Sequence, residues 1–297
     1  MGKSRSLYLA VVILTLAAFA VRAASLEAHS LWRDEVDAMR FALAPLSEVF
    51  TNFSRPGWNG PLYFFLLRGW IALTGTSEYG MRYFSLLFGV VGVPLAYILG
   101  KRLFTPQAGL IAALLVTASP YLTWYGQEVK MYTLLPALAL LAVYALRRSV
   151  DGDGWGWWAV QSVATTLALY AHILAALLIP VQVIVYFVWW PEARKQWRGA
   201  VISIACLTLP YLPLAVWQVP LLFSDSVAGQ PIDQAVQAVL ESWRTGNLLL
   251  LRARETGFSR FSLGETAQIL LDYWSIGELG TYGMGWLCVS VLMVVLL

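Results

Sequence analysis

Apolar runs close to the length of a bilayer crossing recur almost from end to end of this sequence, and they leave few folds open. A helix that crosses a membrane needs about 20 consecutive apolar residues. Such runs fall at approximately 7–24, 82–100, 108–124, 132–146, 157–171, 173–190, 200–219 and 282–297. Only 12% of the residues are charged and 59% are hydrophobic, where a soluble domain carries about 25% charged residues. The pattern predicts an all-α fold: one polytopic integral membrane bundle of about eight transmembrane helices, occupying 1–297 as a single module.

One further apolar stretch, 61–75, decides the topology. It is short, about 22 Å as a helix against a hydrocarbon core of about 30 Å. Arg68 sits at its midpoint, and a charge at the bilayer centre costs roughly 2.5–3.5 kcal/mol. It therefore reads as an interfacial helix within a long outer loop, 25–80. With it set aside, Lys101 and Arg102, Arg147 and Arg148, and Arg194, Lys195 and Arg198 all share a side with Lys3 and Arg5, while Lys130 is the one basic residue in the opposite short loops. That is the positive-inside bias, and it puts the loop after the first span outside. A second outer loop, 220–281, contains Ile232, Ala235, Val236, Val239, Leu240 and Trp243 at helical spacing, the pattern of an amphipathic surface helix.

Other features are plainer. Trp155, Trp157, Trp158, Trp189 and Trp190 mark inner ends, and Tyr121, Trp124, Tyr125 and Trp217 outer ends. Cys206 and Cys288 lie in apolar runs and read as small buried hydrophobes. The basic, apolar N-terminus imitates a signal peptide, but its length and the spans that follow make it a retained helix. The last run stops at Leu297 after about 16 residues, short for a crossing, so the C-terminus is expected to be truncated. The net charge of +3 gives no sign of a nucleic-acid partner.

Chemistry is expected in the outer loops. Leu31-Trp32-Arg33-Asp34-Glu35-Val36-Asp37 packs three carboxylates and a guanidinium into one short stretch. Acids at a helix start serve as caps; a carboxylate beside the membrane is equally suited to act as a general base toward an acceptor hydroxyl. A second polar cluster, Trp124-Tyr125-Gly126-Gln127-Glu128-Val129-Lys130-Met131-Tyr132, ends the third span on the same side. It reads either as a solvated turn or as a partner to the first loop. In the second case Asp34 and Glu128 can pair to hold a divalent cation such as Mg or Mn, or divide base and binding roles. Lys130 or a loop arginine can neutralise a phosphate. His172 ends the fifth span beside Tyr170, where a satisfied structural role competes with a functional one. Arg22 and Arg82 sit at span ends and read by default as snorkelling to headgroups. Arg252, Arg254 and Arg260 can meet lipid phosphate without special function.

Several of these elements, in this order, resemble the polyprenol-phosphate sugar transferases of glycosyltransferase family 39 and their relatives in the C-type membrane glycosyltransferase superfamily, among them protein O-mannosyltransferases and the lipid A aminoarabinose transferases. Trp32-Arg33-Asp34-Glu35 is similar to the family's Asp-Glu motif. Asn59-Gly60-Pro61-Leu62-Tyr63 resembles its PPLYY segment, with Asn-Gly where His-Pro is common. Ser77-Glu78-Tyr79-Gly80-Met81-Arg82 opens the next helix as in the family. Ser119-Pro120 through Gln127-Glu128-Val129-Lys130-Met131-Tyr132 resembles SP…YSQEARMY, with lysine for arginine, and Tyr170-Ala171-His172 resembles YTH. The resemblance covers about 5–190.

What the resemblance implies is a membrane glycosyltransferase using an undecaprenyl- or dolichyl-phosphate sugar and a hydroxyl acceptor on a lipid, protein or glycan. It would sit in a bacterial inner or plasma membrane with its site on the periplasmic or extracellular face. Asp34 would be the base or the acceptor-side acid, Glu35 its support and Glu128 a second acidic contact. Gln127, Lys130, Tyr132, His172, Arg82 and Pro61 would complete a substrate site. The reaction would be a single inverting displacement releasing polyprenyl phosphate. The family's C-terminal helices are expected beyond Leu297. A transporter or lipid flippase is the competing class; it is disfavoured because charges cluster at helix ends and in loops instead of mid-bilayer. A non-catalytic membrane subunit is the third.

Overall fold

A computed structural model of the chain describes residues 2–53 and 60–207. The predicted surface helix around Trp243, the three arginines 252, 254 and 260, Trp217, Cys288 and the run 282–297 lie outside them. The described residues fall within one compact unit, Met1–Gln218. They contain helices and no strand. This follows from composition: in hydrocarbon every backbone polar group must be paired within its own segment, which a helix does.

The first helix, α1 (Gly2–Ala23), is 22 residues long, about 33 Å. A loop leads into α2 (Arg33–Leu43) and α3 (Leu46–Phe53), which are short and lie before α4 (Leu62–Thr74). At 13 residues, α4 is about 20 Å long and too short to cross; it ends at Gly75, whose φ of +80° favours glycine. Arg68 on α4 donates to the carbonyls of Ala42 and Ala44 at 3.1 and 2.7 Å. The charge that argued against a crossing thus closes the C-terminal end of α2.

The longest helix is α5 (Glu78–Leu103), 26 residues started by Ser77, whose hydroxyl accepts from the Gly80 N–H. It packs against α1, α4, α6 (Pro106–Ala118), α7 (Pro120–Gly126) and α8 (Leu134–Val150). A turn with Gly152 and Gly154 at positive φ joins α8 to α9 (Trp155–Ala171). Ile173–Leu177 forms a 3-10 turn before α10 (Leu178–Val188), which is followed by α11 (Trp190–Ala193) and helical residues to 207.

Of the eight expected spans, 282–297 and the second half of 200–219 lie outside the described residues. Among the described residues only Arg5–Ala23 and Glu78–Leu103 are long and apolar enough to cross singly. The predicted run at 108–124 is two helices bent by 56° at Ser119–Pro120, and that at 173–190 turns by 88° into the one that follows. Counting each bent pair as one crossing gives four. Helices α8 and α9 have 17 residues each, about 25 Å, shorter than the core. Apolar side chains nevertheless face outward in a belt: Leu9, Val12, Ile13 and Leu16 on α1, Ile111 and Leu114 on α6, Ile184 and Phe187 on α10. So large an exposed apolar surface suits lipid, not water. Cys206 also belongs to this exposed surface instead of the core, and Trp158 is buried.

Four of the sorted basic residues come together. Lys101 meets the Tyr8 hydroxyl at 3.1 Å, Arg102 pairs with Asp151 and Asp153, Arg147 with Asp151, and Arg148 with Asp153. Arg147 and Arg148 also lie over the rings of Trp189 and Trp157. These basic groups gather at one end of the bundle. The largest core cluster lies at the other end, where Tyr63, Leu67, Met81, Val129 and Met131 are fully buried between α2, α4, α5 and the turn before α8.

Candidate functional site

Two turns meet at the end opposite the basic cluster. The first begins α2 with Asp34; the second, 127–133, links α7 to α8. Lys130 Nζ lies 3.8 Å from Asp34 Oδ2, with the Asp34 side chain 46% exposed and that of Lys130 10%. The second turn is held from beneath. Val129 and Met131 insert into the core with no exposure. The Ser85 hydroxyl donates to the Lys130 carbonyl at 3.1 Å, and Thr133 donates to the Ser85 carbonyl at 2.6 Å. Tyr63 and Ser85 share a hydrogen bond at 2.6 Å, which adds α4 to the same node.

Beside this open pair sits a closed one. Glu35 Oε1 accepts from Arg82 Nε at 2.9 Å and from the Val129 N–H at 3.0 Å; Oε2 accepts from Arg82 Nη2 at 2.7 Å and the Trp32 N–H at 3.2 Å. The Trp32 contact is half of a capping box, an acid at the third helical position reaching back to the start of α2. Arg82 spends its remaining N–H groups on the carbonyls of Leu26, His29 and Ser30. All five guanidinium donors are used, and the Glu35 side chain is wholly buried. Glu35 is thus buried and joins the two turns. One expectation is corrected here: Arg82 does not snorkel, since every donor of its guanidinium is engaged inside the bundle. Arg22 likewise does not snorkel: it is fully buried.

Around the open pair stand Glu128, Tyr132 and His172. Glu128 Oε1 accepts from Trp124 Nε1 at 2.8 Å, an i,i+4 contact. The charges of Glu128 and Asp34 both bear on the Tyr132 hydroxyl. Tyr132, Tyr125 and Tyr121 form an aromatic corner, with ring centroids 4.8 and 4.5 Å apart in turn. His172 caps α9 and its Nδ1 accepts from the Leu174 N–H at 3.0 Å. Burial and the neighbouring Lys130 charge hold the imidazole below its ordinary pKa, so it is a neutral group near neutral pH.

Pro61 and Gln127 fall on supports. The Pro61 carbonyl accepts from Phe65 at the start of α4. Gly60 presses on the end of α9: a Cβ there would lie 1.9 Å from the Tyr170 carbonyl oxygen. Glycine is therefore required, and through it the segment before α4 is fixed against the residues that carry His172. Gln127 donates to the Arg22 carbonyl and the Ser25 hydroxyl at 2.9 and 2.6 Å. Ser85 was not anticipated at the site; its signal was spacing alone, since it shares a face of α5 with Arg82. Trp124 was named in the second cluster, but its hold on Glu128, one helical turn later, was not.

The expected cation site was tested on its donors. Among the described residues no three His, Cys, Asp or Glu side chains cluster to hold a metal. The Lys130 ammonium competes for Asp34, and one oxygen of Glu128 is taken by Trp124. The residues described do not by themselves supply a divalent-ion ligand set.

The sequence was compared with known proteins. Residues 55–217 match the family described as dolichyl-phosphate-mannose-protein mannosyltransferase. A similar curated protein is undecaprenyl phosphate-alpha-4-amino-4-deoxy-L-arabinose arabinosyl transferase 1 of Pseudomonas fluorescens (strain Pf0-1), 28% identical over 150 residues. The match covers 48% of this chain and 26% of that one, so the chain aligns to about a quarter of the relative's length. No solved structure matches the chain. More than half of the sequence thus falls inside one family's profile, which takes in the Lys130 turn and the helices on either side of it, and the chain belongs to the dolichyl-phosphate-mannose-protein mannosyltransferase family.

Proposed function

We propose that this chain carries the catalytic end of a membrane glycosyltransferase that moves a sugar from a polyprenyl-phosphate donor to an acceptor hydroxyl. The observation that carries this reading is the exposed Asp34 carboxylate 3.8 Å from the Lys130 ammonium, with one group from each of two distant turns. The family and the relative's name support the donor class. The charge bias of the short loops supports a site on the outer, periplasmic or extracellular, face.

The chemistry follows from the pair. Asp34 takes the proton of the acceptor hydroxyl as its oxygen bonds to the anomeric carbon, a contribution of about 10²–10⁴-fold. The bond from that carbon to the phosphate oxygen breaks from the opposite face, so configuration inverts. Negative charge builds on the departing polyprenyl phosphate, and Lys130 lies where it can stabilise that charge. Glu128 and the tyrosine corner offer hydrogen-bond and stacking surfaces to the sugar, and neutral His172 offers a polar edge. The prenyl chain runs down the apolar belt of the bundle. The transporter alternative loses ground, because the buried arginines 22 and 82 are fixed by carbonyls and Glu35.

The test supplies the intact protein, in native membranes, with radiolabelled polyprenyl-phosphate sugar and follows free polyprenyl phosphate and labelled acceptor. Donor turnover is expected, with Lys130→Met raising the donor KM by about tenfold or more, the value of one charge-assisted hydrogen bond. A wild-type protein that binds donor and never turns it over sinks the reading and favours a non-catalytic subunit.

A further inference from the structure

The bend between α6 and α7 leaves a carbonyl without its usual donor. In an α-helix the carbonyl of residue i accepts from the N–H of residue i+4. For Val116 that residue is Pro120, which has no N–H. The 56° bend falls at this point. Arg22, on α1, reaches across and donates from Nη2 to the Val116 carbonyl at 2.8 Å. Its Nη1 donates to the Ala18 carbonyl at 3.1 Å, within its own helix.

The site is shaped for that guanidinium. Arg22 has no exposure. A Cβ on either Gly89 or Gly126 would lie 3.5 Å from its Nε, and the Thr133 methyl lines the same slot. A buried charge in a membrane helix is expensive unless it is paired, and here the carbonyls of Val116 and Ala18 receive it. The main chain of Arg22 contributes as well: its carbonyl accepts from Gln127 Nε2 at 2.9 Å. Arg22 therefore holds the bent pair on both sides of the bend, at Val116 before it and at Gln127 after it. Beyond Gln127 come Glu128 and Lys130, and α1 itself leads into the loop that carries Asp34.

We propose that Arg22 is a positioning residue: it fixes the α6–α7 bend through the carbonyl that Pro120 leaves unpaired, and that bend sets the Lys130 turn against Asp34. Only the turnover readout rests on the transferase reading; the other two do not.

The test compares Arg22→Met, Pro120→Ala and the double variant in the intact protein, by melting temperature, by sugar transfer, and by carbodiimide coupling of the Asp34 carboxylate to the Lys130 amine read by mass spectrometry. Arg22→Met is expected to melt lower and couple less. Pro120→Ala gives residue 120 an N–H for Val116, so it melts no lower than wild type. The helix then straightens, coupling falls severalfold, and transfer falls about 100-fold, the scale of a small misplacement of reacting groups. The double variant regains the melting temperature lost in Arg22→Met without regaining coupling or transfer. A purely stabilising role predicts the reverse, with transfer following stability. Wild-type coupling in Pro120→Ala, or a double variant no more stable than Arg22→Met, overturns the proposal. If Arg22→Met fails to fold, the other two variants carry the test. If the wild type transfers no sugar, the transferase reading fails and melting and coupling still decide this one.

Discussion

The two ends of the bundle use the same ions differently. At the basic end, Arg102, Arg147 and Arg148 meet Asp151 and Asp153 with every side chain about a fifth to a third exposed. At the other end, Glu35 and Arg82 meet with the carboxylate wholly hidden. The first cluster is wet, screened and redundant, since each aspartate has two arginines. The second is dry and single, and it joins residues 47 apart in the chain. Charges at the basic end record which side of the membrane they were left on. Charges at the acidic end determine the shape of the site.

That contrast sets the sizes of the expected effects. Removing one partner of a buried pair strands a charge. Arg82→Met should cost about 3–5 kcal/mol, read by denaturant unfolding in detergent; a loss below about 1 kcal/mol would break the contrast. A smaller effect is expected from pH. His172 is held below its ordinary value of 6.5 by burial and then by Lys130. The folded chain therefore binds fewer protons there than the unfolded chain, and stability from this group is complete above about 6.5. It is lost as pH falls from there toward the depressed folded value. His172→Gln, which keeps an acceptor for Leu174, should flatten that acid limb in a pH series of melts. The smallest effect belongs to the basic end. Arg102→Gln should cost about 0.2–1 kcal/mol, falling further with added salt. A large, salt-insensitive loss there would show that the two ends do not differ as described.

Much of this was legible in the sequence, in a graded way. The helical class, the shortness of the helix that carries Arg68 and the separation of Lys101, Arg102, Arg147 and Arg148 from Asp34 followed from length and charge alone, because a bilayer imposes both. The pairing of the Asp34 and Lys130 turns followed from topology. The roles of Arg82 and Glu35 did not. An arginine at a helix start looks the same whether it reaches for lipid or for a carboxylate 47 residues earlier, and no local pattern separates the two. The bend at Ser119–Pro120 was written in the sequence, since proline removes a donor, but hydropathy averages over it. Gly60 could be seen as a motif residue; that it must be glycine depends on a neighbour, Tyr170, far along the chain.

The central claim is that two adjacent carboxylates have divided tasks, Asp34 as the reacting group and Glu35 as the clamp. Its most direct test measures melting temperature and sugar transfer side by side in Asp34→Asn and Glu35→Gln. Asp34→Asn is expected to melt as the wild type does and to lose transfer by about 100-fold or more, while Glu35→Gln melts markedly lower. An Asp34→Asn protein with undiminished transfer, or a Glu35→Gln protein as stable as the wild type, would contradict it.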